Sequence, residues 1–256
     1  MKSEHKEMMK ARRRNIKLTL SYDGTNYHGF QRQTKVVAVQ NVLEGALFKL
    51  LGDSIELAAA GRTDAGVHAI GQVVNFFTDG TIPIQNVVRA GNRLLPDDIV
   101  LLKAEEADRD FSALHSVKSK IYIYKVFENE LADPFMSRFY WHVNKKLNLE
   151  DMQEALKYIE GEHDFSSFRS AGGNDTSPIR EIYEASCTKE KNIYTFKFWG
   201  SGFLYHMVRN IMGLMINIGL GRVDKHEVPK IIEAKNRALA GKMAPANGLY
   251  LQKVYY

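Results

Sequence analysis

The chain has 256 residues, 45% hydrophobic and 25% charged, with one cysteine and a formal net charge of +5. That length suits one large domain or two small ones, and the composition is that of a protein that buries a core, which excludes a disordered chain and a disulfide-stapled miniprotein. Lone Cys187 supports neither an internal disulfide nor a thiolate-rich zinc site, so a reducing compartment is expected.

The charge sits at one end. Residues 1–17 hold seven basic side chains against two acidic ones, and the other 239 residues carry equal numbers of both signs. A basic tail over residues 1–14 is either a solvated terminus or an arm that displaces counterions from a polyanion with a phosphate backbone. No apolar stretch follows it that would read as an export signal, and the uncharged run at 210–221 is shorter than the ~20 residues a membrane span needs. A cytoplasmic protein with no membrane association is expected.

Residues 16–22 alternate apolar and polar and end at Asp23 and Gly24, as a strand and a turn do. Val39, Val42, Leu43, Ala46, Leu47 and Leu50 recur at helical spacing, with Gly52 as the stop, so a helix is predicted over 39–51. Strands follow at 55–60 and 72–78. A helix is then expected from Pro83, in its first turn, to Leu95, and further strands at 99–103 and 120–127. The second half repeats the theme, with a helix over 149–159, a hairpin of strands 180–188 and 193–199, an apolar helix over 203–218, a more polar helix over 225–234 and a closing strand over 249–255. The serine- and glycine-rich stretch 166–177 reads as a surface loop. These elements imply an α+β fold with an N-terminal half at 15–110 and a C-terminal half at 111–256.

Several chemistries lose their usual anchors. Gly61 and Gly66 have P-loop spacing, but Val67 and His68 stand where the lysine and hydroxyl residue belong. Gly200 and Gly202 lack the third glycine of a dinucleotide fingerprint, no His-Glu-x-x-His spacing occurs, and no Gly-x-Ser-x-Gly elbow is present. What remains is a run directly after a strand, Gly61, Arg62, Thr63, Asp64, Ala65, Gly66, Val67 and His68. Asp64 there is either a turn residue or an acid presented at a strand end. Arg209 lies inside the mostly apolar helix over 203–218. Its guanidinium either snorkels to water or meets a carboxylate or phosphate.

The run 61–68 closely resembles the active-site signature of the tRNA pseudouridine synthase A family. Four further motifs resemble that family in the same order: residues 22–33, the tyrosine strand 119–124, the arginine helix 203–211 and the closing segment 244–251. The resemblance covers nearly the whole chain after the tail. It implies a pseudouridine synthase fold of two ferredoxin-like halves sharing a mainly antiparallel sheet. The implied reaction is isomerisation of uridine to pseudouridine in the anticodon stem-loop of tRNA, at positions 38–40, by a homodimer using no metal or organic cofactor. In that family's pattern Asp64 is the nucleophile, Arg209 its ion-pair partner and Tyr122 the ring on which the base stacks. Arg62, Lys120 and Leu249 are implied in substrate binding, Arg62 by filling the gap left by the displaced base. The chain departs from the pattern at Lys120 and Leu114, where many members carry arginine. His68, His206, Met207, Met212 and Met215 are read as core residues. An RNA N-glycosidase and an RNA-binding protein of the same fold without turnover are the alternatives.

Overall fold

The structure, a computed structural model, describes residues 11–173 and 176–256. Residues 1–10 of the basic tail, and Asn174 and Asp175 of the expected surface loop, lie outside the described residues. The chain forms two compact units, Met1–Val117 with Leu251–Tyr256, and Lys118–Tyr250. In chain order the elements are β1 (Arg14–Tyr22), α1 (Val39–Leu51), β2 (Ala58–Ala59), β3 (His68–Thr78), α2 (Ile84–Asn92), β4 (Ile99–Ala107), β5 (Ser119–Glu128), β6 (Trp141–Val143), α3 (Leu149–Lys157), β7 (Gly161–Asp164), β8 (Ile179–Glu190), β9 (Ile193–Gly200), α4 (Met207–Gly219), α5 (Val228–Glu233) and β10 (Leu249–Tyr255).

In the first unit the strands lie in the order β4-β1-β3, with residues 251–255 of β10 beside β3. Short β2 also pairs with β3, at Val74 and Asn75. Both β3 and β4 run antiparallel to β1, and the succession of strands and helices is the βαββαβ of a ferredoxin-like half. The alternation of β1 has the expected consequence, since Ile16, Leu18 and Leu20 are fully buried. α1 buries Val39, Leu43, Ala46 and Leu47 and stops at Gly52, whose φ of 73° is the left-handed C-cap that glycine takes without a Cβ penalty.

The strand expected over 55–60 contracts to two residues. The Leu57 N–H goes to the buried carboxylate of Glu44 (3.2 Å), which diverts that stretch of backbone from a ladder. α2 begins after Pro83, which is its N-cap, and ends at Asn92. The Asn92 amide exchanges two hydrogen bonds with the Leu101 backbone on β4 (2.9 and 2.7 Å). Arg12 and Arg14, read within the tail, are tied to this unit: Arg12 to the Ser54 carbonyl, and Arg14 to Glu106 and the carbonyls of Gly80 and Ile82.

In the second unit the strand order is β5-β9-β8-β7, all antiparallel, with β6 parallel to β5. The β8–β9 hairpin turns at Lys191 and Asn192 as expected, with Lys191 at φ 55°. α4 is buried along its length except at Arg209 and Asn217, which fits its apolar sequence. It starts at Met207 instead of 203 because His206 adopts φ 62° and breaks the helical path. The loop expected over 166–177 is surface only in part. Ser166–Phe168 forms a 3-10 turn, Phe165 and Phe168 are fully buried, and the Ser167 hydroxyl donates to the Ile231 carbonyl (2.5 Å). The serines hid two aromatic anchors. Among the described residues no helix is long and apolar enough to cross a membrane.

Candidate active site

The loop 61–68 belongs to the first unit, between β2 and β3. Its backbone is held at nearly every residue. Ala60 donates to the Val73 carbonyl (2.9 Å), and the Gly61 carbonyl accepts from the buried Gln72 amide (2.9 Å). Val67 N–H closes a turn onto the Asp64 carbonyl (3.1 Å), and Gly66, third residue of that turn, has φ 78°, which favours glycine. Side chains alternate accordingly: Arg62 is exposed, Thr63 buried and Asp64 half-buried. Thr63 is the anchor. Its hydroxyl shares a buried 2.8 Å hydrogen bond with Tyr22 of β1. Burial holds the Tyr22 phenol protonated far above its ordinary range, against the smaller opposing effects of Thr63 and Gln72.

The motif at 22–33 clamps the same loop. Phe30 N–H donates to the Thr63 carbonyl (3.1 Å) and Gly66 N–H to the Tyr27 carbonyl (3.2 Å). Gly29, at φ 84°, lies so close that a methyl group on it would sit 2.5 Å from the Thr63 oxygen, and a methyl on Gly24 would overlap the Val67 carbonyl. His68 is buried, as read from sequence. Its Nδ1 accepts from Gly24 N–H (3.0 Å), with an Asp23 carboxylate oxygen 3.1 Å away. The two motifs, separate in sequence, are one packed object. Nothing in their spacing announced Tyr22, Gln72 or the two glycines as its supports.

The second unit carries the other candidates. On β5, Lys120, Tyr122 and Tyr124 share a face by strand alternation. Tyr122 is buried, with its ring edge-to-face on Phe203 (centroids 5.0 Å apart, 81° between planes). Tyr124 is buried completely and donates to the Pro245 carbonyl (2.7 Å). Burial pushes its phenol well up, opposed by the charge of Arg209. Arg209, half-buried on α4, donates from Nε to the Ala244 carbonyl (2.9 Å), while Ala244 N–H returns a bond to the Arg209 carbonyl (3.0 Å). This double tether fixes how the guanidinium leaves the helix. Gly213, one turn on, makes room for it, since a methyl there would overlap the Lys242 carbonyl. Leu249 is buried at the start of β10.

Lys120 is half-buried, and its ammonium is pushed down to about 8, first by burial and then by the charge of Arg180 on β8. Phe203 and Arg180 were not singled out in the sequence. Phe203 lies in a stretch that reads as continuous helix, and Arg180 is one strand cation among many.

A profile of the tRNA pseudouridine synthase family matches residues 19–114 and 155–256. The chain is 45% identical over 243 residues to the tRNA pseudouridine synthase A of Acetivibrio thermocellus, covering 95% of this chain and all of that one. It is 46% identical over 244 residues to the protein of the same name from Ruminiclostridium cellulolyticum, with the same coverage. The tRNA pseudouridine synthase A of Lacticaseibacillus casei is 44% identical over 243 residues, covering 94% of this chain and 98% of that one.

Proposed function

Since the chain belongs to the tRNA pseudouridine synthase A family, we propose that Asp64 is its nucleophile, Arg209 the cation paired with that carboxylate, and Tyr122 the ring that holds the displaced base. The protein is an isomerase that converts uridine in tRNA to pseudouridine. The reaction breaks the bond from ribose C1′ to N1, turns the base and rejoins it through C5, so that N1 gains a proton and C5 loses one. Nothing is oxidised or consumed, and no cofactor enters the proposal. The carboxylate attacks either C1′ or C6 of the ring, and both routes are covalent catalysis.

The observation that carries the assignment is the over-determined loop around Asp64. Backbone bonds from Tyr27 and Phe30, the buried Thr63–Tyr22 pair and the turn closed by Gly66 hold one half-buried carboxylate in place. A nucleophile needs that fixity more than a surface turn does. Extruding a stacked uridine costs a few kcal/mol, and base–aromatic stacking of ~1–3 kcal/mol offsets much of it. Tyr122, already fixed edge-on by Phe203, is suited to that work. Arg62, exposed on the same loop, fills the vacancy in the stack, and Lys120 and Leu249 line the substrate side. The uridines are those of the anticodon stem-loop, positions 38–40, and the working form is a cytoplasmic homodimer.

The test is tRNA carrying tritium at uridine C5. The wild type releases tritium and leaves the chain intact, and Asp64→Asn releases none while still binding tRNA. Abasic sites would mark an N-glycosidase instead, binding without either product an inactive RNA-binding protein, and substantial turnover by Asp64→Asn would remove the assignment.

A further inference from the structure

Lys120 shares a sheet face with a second cation, Arg180. On β9, Gly200 stands opposite Lys120, and Gly200 in turn stands opposite Ile182 on β8. Arg180 is two residues before Ile182, so Lys120, Gly200 and Arg180 share one face of the sheet, the face that carries Tyr122 two residues along β5. Gly200 puts no side chain of its own between them, and the buried Ile182 packs over it, since a methyl on Gly200 would be 2.7 Å from Ile182 Cδ1. Arg180 lies along a second glycine, because a methyl on Gly202 would be 3.4 Å from its Nε.

Arg180 is held in place by backbone. Its Nη1 donates to the carbonyls of Ser177 and Ile179 (2.7 and 2.6 Å), and its Nη2 lies 3.4 Å from the Thr176 hydroxyl. Arg169 donates to the Thr176 carbonyl (3.2 Å), which brings a third cation toward the same residue. Among the described residues no carboxylate pairs with Lys120 or with Arg180. Arg180 is the charged group that acts on Lys120, and Arg169 the one that acts on Arg180. Converging like charges on a partly desolvated face are costly unless an anion joins them.

We propose that Lys120 and Arg180, with Arg169 behind them, form a phosphate site that takes a backbone phosphate of tRNA beside the nucleotide whose base stacks on Tyr122. The proposal rests on the tRNA-modifying function stated above. The loop from Gly202 to Phe203 joins the two places, since Gly202 lies against Arg180 and Phe203 against Tyr122. A guanidinium fork can take two phosphate oxygens, and the lysine adds a point charge from the facing strand.

Lys120 also gives the site a pH dependence. Its free ammonium titrates at about 8, and a bound phosphate raises that value, so binding needs the protonated form and weakens as pH rises through 8. If the complex keeps the proton throughout, the loss of tRNA affinity between pH 7 and 9 is at most about tenfold for this one group.

The experiment measures tRNA affinity against salt at pH 7 and pH 9 for the wild type, Lys120→Gln, Lys120→Arg, Arg180→Gln and the double variant Lys120→Gln/Arg180→Gln. Thermal melts confirm that each variant is folded. Removing the neutralisation of one phosphate lowers the slope of log affinity on log salt by about 0.7–0.9. The expected result is a slope lower by about that amount in the double variant, and in Lys120→Arg a wild-type slope at pH 7 with less weakening at pH 9. An unchanged slope in the folded double variant overturns the proposal, and so does a pH 7-to-9 loss in Lys120→Arg equal to that of the wild type. Tritium release by the wild type is read in parallel. If it is absent while the slope still falls, the synthase function fails and the phosphate site stands.

Discussion

Gly29→Ala should uncouple the Asp64 loop from its clamp. A methyl carbon at residue 29 would lie 2.5 Å from the Thr63 oxygen, 3.2 Å from the Asp64 carbonyl carbon and 3.4 Å from the Ala65 nitrogen, whereas real contacts of this kind stay beyond 3.0 Å. The Thr63–Asp64 peptide must therefore retreat by about half an ångström and the Asp64–Ala65 link by up to a few tenths, since backbone cannot rotate away as a side chain would. The φ of 84° at residue 29 adds left-handed strain of ~1–2 kcal/mol for alanine. Overpacking costs a further ~1–3 kcal/mol, so the total is roughly 2–5 kcal/mol, and at about 2–4 °C per kcal/mol the melting temperature falls by roughly 4–20 °C. For the chemistry, ~1 Å of misplacement can cost 10²-fold, so half that implies about tenfold in kcat. Gly52→Ala is the control. It carries a similar positive φ, 73°, with nothing within 4 Å of the added methyl, so it should lose stability to strain alone and keep its rate. Single-turnover tritium release at 20 °C, below both transitions, separates the effects. Equal rate constants for the two variants would refute the clamp.

The remaining expectations are narrower. Tyr122→Leu should slow single-turnover release severely while Tyr122→Phe keeps most of the rate, because the ring and its packing on Phe203 survive; equal rates would argue against stacking. Tyr22→Phe strands the buried Thr63 hydroxyl, at ~1–3 kcal/mol, and a melting temperature matching the wild type would show that pair to be dispensable. Lys120→Met should raise the melting temperature of the free protein at pH 7. The folded lysine titrates at about 8, below its ordinary 10.5, so the fold disfavours the charged form; that penalty is complete below pH 8 and disappears as pH rises through 10.5. A lower melting temperature at pH 7, or a gain that persists unchanged at pH 10.5, would contradict it. Burial pushes the Cys187 thiol up to about 12, so iodoacetamide at pH 8 should label it only in unfolded protein, as mass spectrometry would show.

Local chemistry made much of the fold legible. α1 ends where Gly52 stands, and β10 spans the expected residues, because alternation and a helix stop are written within a few neighbouring positions. The failures have two causes, a distant partner or an element too short to show a period. β2 is cut short by Glu44, reaching Leu57 from thirteen residues back. β6 and β7, only three and four residues long, are too brief for periodicity to reveal. The 3-10 turn at Ser166–Phe168 is anchored through Ile231, more than sixty residues on. At the candidate site the sequence named the signature, Thr63 included, without showing what supports it, since Tyr22, Gln72 and the glycines at 24 and 29 act as supports only when the loop and the 22–33 segment pack together.

The two units hold their candidate groups by different physical means, and the difference bears on which substitutions each tolerates. Around Asp64 the restraint is backbone against backbone, with glycines where no side chain fits, so the loop responds to volume. A single added methyl is felt there, while an exposed neighbour such as Arg62 can change without moving the chain. In the second unit Gly213 again admits backbone where no side chain fits, but each cation is aimed by polar bonds as well. Arg209 is aimed by one Nε–carbonyl bond with its reciprocal from Ala244, and Arg180 by two carbonyls of its own segment. Lysine carries the same charge at either position but has no planar fork with which to bind a carbonyl and an anion along fixed directions at once. Charge-conserving replacement at 209 or 180 should therefore cost more than at 120. The existing lysine at 120 presents a point charge from an apolar strand face and, among the described residues, makes no directional bond that arginine would have to reproduce.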